Sequence, residues 1–240
     1  MLRAVLFDLD NTLLENDLGV FIPSFLEALA PRFAHIIPPE TFKRWMLRSV
    51  RQMMVDIDPR QTNREVFMRD MVLRSGYSWT VLGPLFDAFY AEDYAALEAV
   101  SRPIELAPRV IDAAIERGLK VAVATNPIFP LVAMTERIRW ARLAGCPFEV
   151  VTSYDDSHFC KPHPEFYLEV AQRLGCPPEE CLMVGDDVVN DMPAVEAGMR
   201  TYLVTDHMDA RKRAFYEPTF LGTLSDLHEF LSDDALIADL

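Results

Sequence analysis

The chain opens with a short, wholly apolar run, "AVLF" at residues 4–7, and the next run that reads as a strand is "VAVA" at 121–124. From Glu105 onward such runs alternate with amphipathic stretches: "PRVIDAAIERG" before "LKVAVATN", then "FEVVTSYD", then "PEFYLEVAQRLG" before "CLMVGDD", and "MPAVEAGM" before "TYLVTD". Strands this uniformly apolar are buried on both faces, the condition of a parallel sheet covered by helices. The intervening chain reads only as helix, in "VFIPSFLEALAPRFAHII", "PETFKRWMLRSVRQMMVDI", "NREVFMRDMVLRSG" and "WTVLGPLFDAFYAEDYAAL", separated by Pro, Gly or Asp breaks. The expectation is an α/β protein with a doubly wound, mostly parallel sheet. Residues 1–15 and 103–240 build it, and residues 16–102 form a helical insertion after the first strand. With 240 residues, half of them apolar, the chain has material for a large core.

Charge narrows the partners. The formal net charge of -14 argues against nucleic acid or an anionic membrane as the main partner, since those select basic surfaces. A small anionic substrate stays open, because a few cations make a local positive site. No apolar stretch approaches the roughly 20 residues that span a bilayer, and the first strand starts at Leu2, with no room for a leader. The expected location is cytoplasmic. Cys146, Cys160, Cys176 and Cys181 form no CxxC pair and have no histidine at ligand spacing, so they read as scattered buried or loop thiols.

In doubly wound sheets the ligand lies outside the carboxyl ends of the strands. That rule gathers polar residues from distant parts of the sequence. Asp8 and Asp10 follow "AVLF"; Thr125 and Asn126 follow "VAVA"; Asp186 and Asp187 follow "CLMVG"; Lys161 lies in the loop after "FEVV". Any one of these alone has a plain alternative, since an acidic pair at a strand end can cap the next helix.

Together, "DLDNT", "VATN", "CKPHPEFY" and "GDDVVND", in that order, make the chain resemble the haloacid dehalogenase-like superfamily. The match is to its branch with a helical cap inserted after the first strand. The resemblance implies a Rossmann-like core carrying a cap domain, and a phosphatase that uses Mg²⁺ on a small phosphorylated metabolite. In that reading Asp8 is the nucleophile that forms an aspartyl-phosphate. Asp10 protonates the leaving group and then activates water. Thr125, Asn126 and Lys161 bind the phosphoryl group, Lys161 also supplying charge for catalysis. Mg²⁺ is implied on Asp8, the backbone carbonyl of Asp10 and Asp186. Asp191 and Asp187 position Lys161 or a metal-bound water. Asn11 stands where many relatives carry Gly, a position that asks for turn geometry.

Other activities of the superfamily fit less well. A 2-haloacid dehalogenase does not need the acid at Asp10. A phosphonate hydrolase needs a Schiff-base lysine in the cap, where Lys43, beside Arg44, is the only lysine. A non-catalytic phosphate-responsive binding protein would be expected to lack Asp8 or Asp10.

Within the insertion, Met46, Val50, Met53 and Ile57 recur at helical spacing and read as core. Arg44, Arg48 and Arg51 lie roughly 200° round the helix and read as a solvated face, with a substrate clamp as the alternative. Phe21, Phe25, Phe86, Phe89 and Tyr90 read as cap packing. His158 and His163, on either side of Lys161, read as loop packing. A cap joined near Leu14–Asn16 and Ser101–Pro103 is expected to cover the site and to open and close over it.

Overall fold

The computed structural model describes residues 1–209 and 215–233, so the far end of the expected 103–240 unit lies outside the described residues. In chain order the elements are β1 (Ala4–Phe7), β2 (Leu14–Glu15), α1 (Leu18–Phe33), α2 (Pro39–Val55), α3 (Asn63–Ser75) and α4 (Trp79–Glu92). A 3-10 turn at Tyr94–Val100 leads to β3 (Arg102–Pro103), α5 (Ala107–Glu116), β4 (Lys120–Val123), α6 (Leu131–Trp140), β5 (Val150–Val151) and α7 (Pro164–Leu174). There follow β6 (Cys181–Gly185), a 3-10 turn at Met192–Ala197, β7 (Arg200–Val204), β8 (Phe220–Gly222) and α8 (Leu224–Ser232).

Every side chain of β1 is buried, so its backbone must be paired along both edges. It is, between β4 and β6, in a six-stranded sheet of order β5-β4-β1-β6-β7-β8 whose pairings are all parallel. The register sets Phe7 level with Val123 and with Val184. The amide of Asp8 donates to Val184 O at 2.8 Å, and that of Ala124 to Phe7 O at 2.7 Å. Three strands therefore end at one height, and the loops after them start side by side.

Two elements are shorter than the apolar pattern predicts. The strand read in "FEVVTSYD" is reduced to Val150–Val151, and just past it Thr152 turns its hydroxyl onto the carbonyl of Thr125, 2.6 Å away. "MPAVEAGM" is not an α-helix but the 3-10 turn Met192–Ala197, ended by Gly198, whose φ of 86° is left-handed. The helix α6 and the pair β8 and α8 lie in stretches that carry no such signal in the reading above.

The helices between Leu18 and Glu92 are built as expected, with Thr62 and Glu65 forming a capping box on α3. Arg44, Arg48 and Arg51 are exposed, while Met46 and Met53 are buried. Ile57 lies beyond the end of α2 and is 58% exposed, so the apolar stripe stops short of it. Buried Ser49 sits on α2 instead, donating to Asp70 at 2.6 Å. The expected aromatic residues are all buried.

This helical segment and the sheet share one apolar interior. Phe25 meets Phe129 at 5.3 Å between ring centroids, and Tyr94 stacks on Trp140 at 5.4 Å. The two connecting stretches pair with each other, Leu14 with Pro103 and Glu15 with Arg102. The start of α3 adds backbone bonds, Asn63 N–H to Ser157 O and Arg64 N–H to Tyr154 O, both 2.8 Å. Among the described residues no helix is long and apolar enough to cross a membrane.

A shared interior should melt as one. Phe25→Ala removes a ring buried between helical segment and sheet and should cost about 3–5 kcal/mol, lowering the midpoint of a single transition in urea. Two separate transitions in the wild type would show that the segments unfold independently.

Candidate active site

Above the ends of β1, β4 and β6 lies a cleft of about 470 Å³, mouth included, within the size range of small-molecule sites. Asp8, Asp10, Asn11, Thr125, Asn126, Lys161, Asp186, Asp187 and Asp191 line it, with Leu18 of α1 as its apolar wall. All the residues singled out from the strand ends thus come to one cavity.

At its floor the Lys161 ammonium, 1% exposed, donates to Asp8 Oδ1 at 2.7 Å and to Asp191 Oδ1 at 2.6 Å. Asp191 is fully engaged, since its Oδ2 also accepts the Asp187 amide at 2.9 Å. Asp8 keeps its second oxygen without a hydrogen bond among the described residues. Asn126 Oδ1 accepts the backbone N–H of Lys161 at 3.1 Å, fixing the loop that carries the lysine. The Thr125 hydroxyl, 3% exposed, has no hydrogen-bond partner among the described residues and lines the cleft. Asp187 accepts from the amide of Val189 and the side chain of Asn190, so it shapes its own loop.

Local geometry explains two residue choices. Asn11 has φ of 58°, in the left-handed region that Asn tolerates better than most, and its Oδ1 accepts the amide of Asn16. Gly185 is required by contact: a Cβ there would collide with the Asp191 carboxylate.

Carboxylate crowding is the dominant electrostatic feature. The carboxylates of Asp8, Asp186 and Asp191 can bring one oxygen each within 4.8 Å of the others. Burial pushes Asp8 up to about 7, against the pull of Lys161 and with further push from Asp191 and Asp10. Burial, then Asp8, Asp191 and Asp187, push Asp186 up to about 8. Burial opposes the charge on Lys161, but Asp191 and Asp8 outweigh it and hold the ammonium protonated. The donor set is one of hard oxygens with an excess of negative charge, which suits a divalent cation such as Mg²⁺. Asp10 stands outside this group of carboxylates, so its expected part in metal binding rests on its backbone carbonyl.

A model of the haloacid dehalogenase-like hydrolases matches residues 2–198. The chain belongs to that family. Relatives include the pyrophosphatase PpaX of Anoxybacillus flavithermus, 28% identical over 233 residues, covering 96% of this chain and 97% of that protein. PpaX of Bacillus cereus strain AH820 is 29% identical, covering 97% of each. The fold is that of a haloacid dehalogenase-family phosphatase from Thermococcus onnurineus, with a TM-score of 0.56, 21% identity and coverage of 96% and 98%. It is equally that of the L-2-haloacid dehalogenase of Xanthobacter autotrophicus, with a TM-score of 0.58, 19% identity and coverage of 98% and 100%.

Two residues that hold the site carry no such role in the sequence expectations. Asp10 is held by Arg137 of α6, whose Nη2 donates to Asp10 Oδ1, and by Asn16, whose Nδ2 reaches the same oxygen at 2.7 Å. Arg137 is 1% exposed, with its guanidinium 5.2 Å from the Phe21 ring and 5.5 Å from that of Phe129. A signal was present: Ala133, Met134 and Ile138 form the buried stripe of α6, and Arg137 is a charge inside it. The histidines behave as loop residues, His158 Nδ1 meeting Glu169 at 2.6 Å and His163 preceding the first turn of α7.

The crowded carboxyls give a pH test. Their folded-state pKa values lie above the unfolded ones, so the folded protein holds protons that the unfolded chain has lost. Stability of the metal-free protein should be highest below about pH 4 as far as these groups go, and fall as pH rises through 7 to 8. Asp186→Asn should flatten that decline in thermal melts. An unchanged slope in the variant would remove Asp186 as its source.

Proposed function

We propose that the chain is a Mg²⁺-dependent phosphatase that hydrolyses a small phosphorylated metabolite through a phosphorylated Asp8. The observation that carries this reading is the pair of carboxylates in one cleft, each anchored through Oδ1. Lys161 holds Asp8, while Arg137 and Asn16 hold Asp10. One serves as nucleophile and the other as proton carrier. Dehalogenation needs no second acid there, so Asp10 favours phosphoryl transfer. The PpaX relatives, named as pyrophosphatases, support phosphate chemistry and put pyrophosphate on the list of substrates to try. We further assign residues 1–15 and 103–240 to a catalytic unit and 16–102 to a cap that sets the leaving-group pocket.

An oxygen of Asp8 attacks phosphorus as the bond to the leaving oxygen breaks, and Asp10 gives its proton to that oxygen. Asp10, now a carboxylate, takes a proton from water whose oxygen attacks the same phosphorus. The bond to Asp8 breaks, inorganic phosphate leaves, and Asp10 is protonated again. General acid–base catalysis of this kind is worth about 10²- to 10⁴-fold. Thr125 would donate to a phosphoryl oxygen, and Lys161 would offset negative charge beside it. Mg²⁺ on Asp8, Asp186 and the Asp10 carbonyl would supply the rest of the charge neutralisation that a dianion meeting a carboxylate requires. Asp191 and Asp187 hold Lys161 and its surroundings in place.

Phosphate release across a panel of sugar phosphates, nucleotides, phosphorylated acids and pyrophosphate tests the reading. Asp8→Asn should retain the fold by circular dichroism and lose turnover entirely, as should the wild type in chelator. Turnover in either case would overturn the covalent or the metal assignment. Gly185→Ala should displace Asp191 and slow turnover by about 100-fold, the scale of a misplacement near 1 Å, with little loss of substrate binding.

A further inference from the structure

We infer that Arg137 is the positioning residue for the proton-transfer group of this site, acting through Asp10 and not on the substrate. The inference rests on the phosphatase reading and goes beyond it, since it assigns a role to a helix that the family motifs do not include.

The surroundings of Arg137 are those of a core residue. It sits in the buried stripe of α6, packed over Phe21 from the helical segment and Phe129 from the loop after β4. Burying a guanidinium costs several kcal/mol before any partner is counted, and an ion pair in such a place is commonly no more stabilising than apolar side chains of the same volume. A Met or Leu at 137 would complete the stripe at no such cost. Stability therefore does not account for the charge.

Its single charged partner accounts for it better. Among the described residues the guanidinium makes one hydrogen bond, from Nη2 to Asp10 Oδ1, and its Nε is buried without a partner. A guanidinium serving stability would satisfy its fork. Here one donor is fixed at one oxygen while two rings hold the plane of the group. Asn16 Nδ2 takes the same oxygen from the other side, at 2.7 Å. Two donors on Oδ1 set the rotation of the carboxyl group and leave Oδ2, which has no hydrogen bond among the described residues, as the oxygen that can carry the proton into the cleft. Thr125 and Lys161 meet the phosphoryl group; Arg137 meets only the acid.

The experiment compares p-nitrophenyl phosphate with phenyl phosphate in the magnesium-loaded wild type and in Arg137→Met. The two esters have nearly the same shape, and only the phenolate leaving from the second depends strongly on a proton. In single turnover, Arg137→Met should slow cleavage of phenyl phosphate about 100-fold and that of p-nitrophenyl phosphate less than about 10-fold. Because Asp10 also activates water, the variant should then release one equivalent of p-nitrophenol in a burst followed by slow turnover. In an Asp10→Ala background the added Arg137→Met should cost nothing further, a non-additivity that a general structural role would not produce. That double variant also removes both members of the ion pair, so it remains informative if the single variant folds poorly. Equal losses on both esters without a burst, or losses that multiply in the double variant, would overturn the proposal. A wild type that releases phosphate from neither ester and shows no phosphate on Asp8 would instead overturn the phosphatase reading on which it stands.

Discussion

A buried ammonium held between two buried carboxylates is the interaction on which the rest of the site depends. Lys161 arrives from the loop after β5, Asp8 from the end of β1, and Asp191 from the loop after β6. None of the three is stable alone in that place, because an unpaired buried charge costs about 3–5 kcal/mol. The neighbouring features each serve the trio. Asn126 pins the Lys161 backbone, the Asp187 amide takes the second oxygen of Asp191, and Gly185 leaves the space that Asp191 fills.

The trio can form only because three strands end together. Pairing Phe7 with Val123 and Val184 fixes that, and a slip of one residue in either pairing would turn Asp8, Thr125 or Asp186 away from the cleft. The sheet's apolar uniformity is thus a condition of the chemistry as well as of stability. Fully buried strands pay no penalty for side chains on either face, so each can stop abruptly at a polar residue without unbalancing the core.

How far the sequence discloses this differs from residue to residue. Asp8, Thr125 and Asp186 are legible because each follows an apolar run directly and Asp10 comes two residues later, strand ends in a parallel sheet sharing one side, whereas Lys161, ten positions past Val151, is legible only through "CKPHPEFY". The parallel α/β fold and the four helices of the insertion follow from uncomplicated periodicity. Length is less legible: "FEVVTSYD" and "MPAVEAGM" look like longer elements, but the first is a two-residue strand and the second a 3-10 turn ended by a left-handed Gly198. Arg137 is the clearest omission. It stands 127 positions from Asp10 in the chain, and its importance comes from a helix crossing that no local pattern encodes. Only its intrusion into the apolar stripe of α6 hints that an anion awaits it.

Asp10 is also where the helical segment meets the chemistry. Ser101 of the second connecting stretch donates to Asn16 Oδ1 at 3.1 Å, and Asn16 of the first donates in turn to Asp10. The other donor to Asp10, Arg137, lies against Phe21 of α1. Both supports of Asp10 therefore reach back to the helical segment. That segment is itself tied to the sheet by the Phe25–Phe129 and Tyr94–Trp140 contacts and by Asn63, whose side chain donates to Pro127 O at 3.3 Å. The loop that carries Lys161 has the same dependence, since Asn63 of α3 also reaches Phe159 O at 3.4 Å, two residues before the lysine, so the helical segment steadies the surroundings of both Asp10 and Lys161.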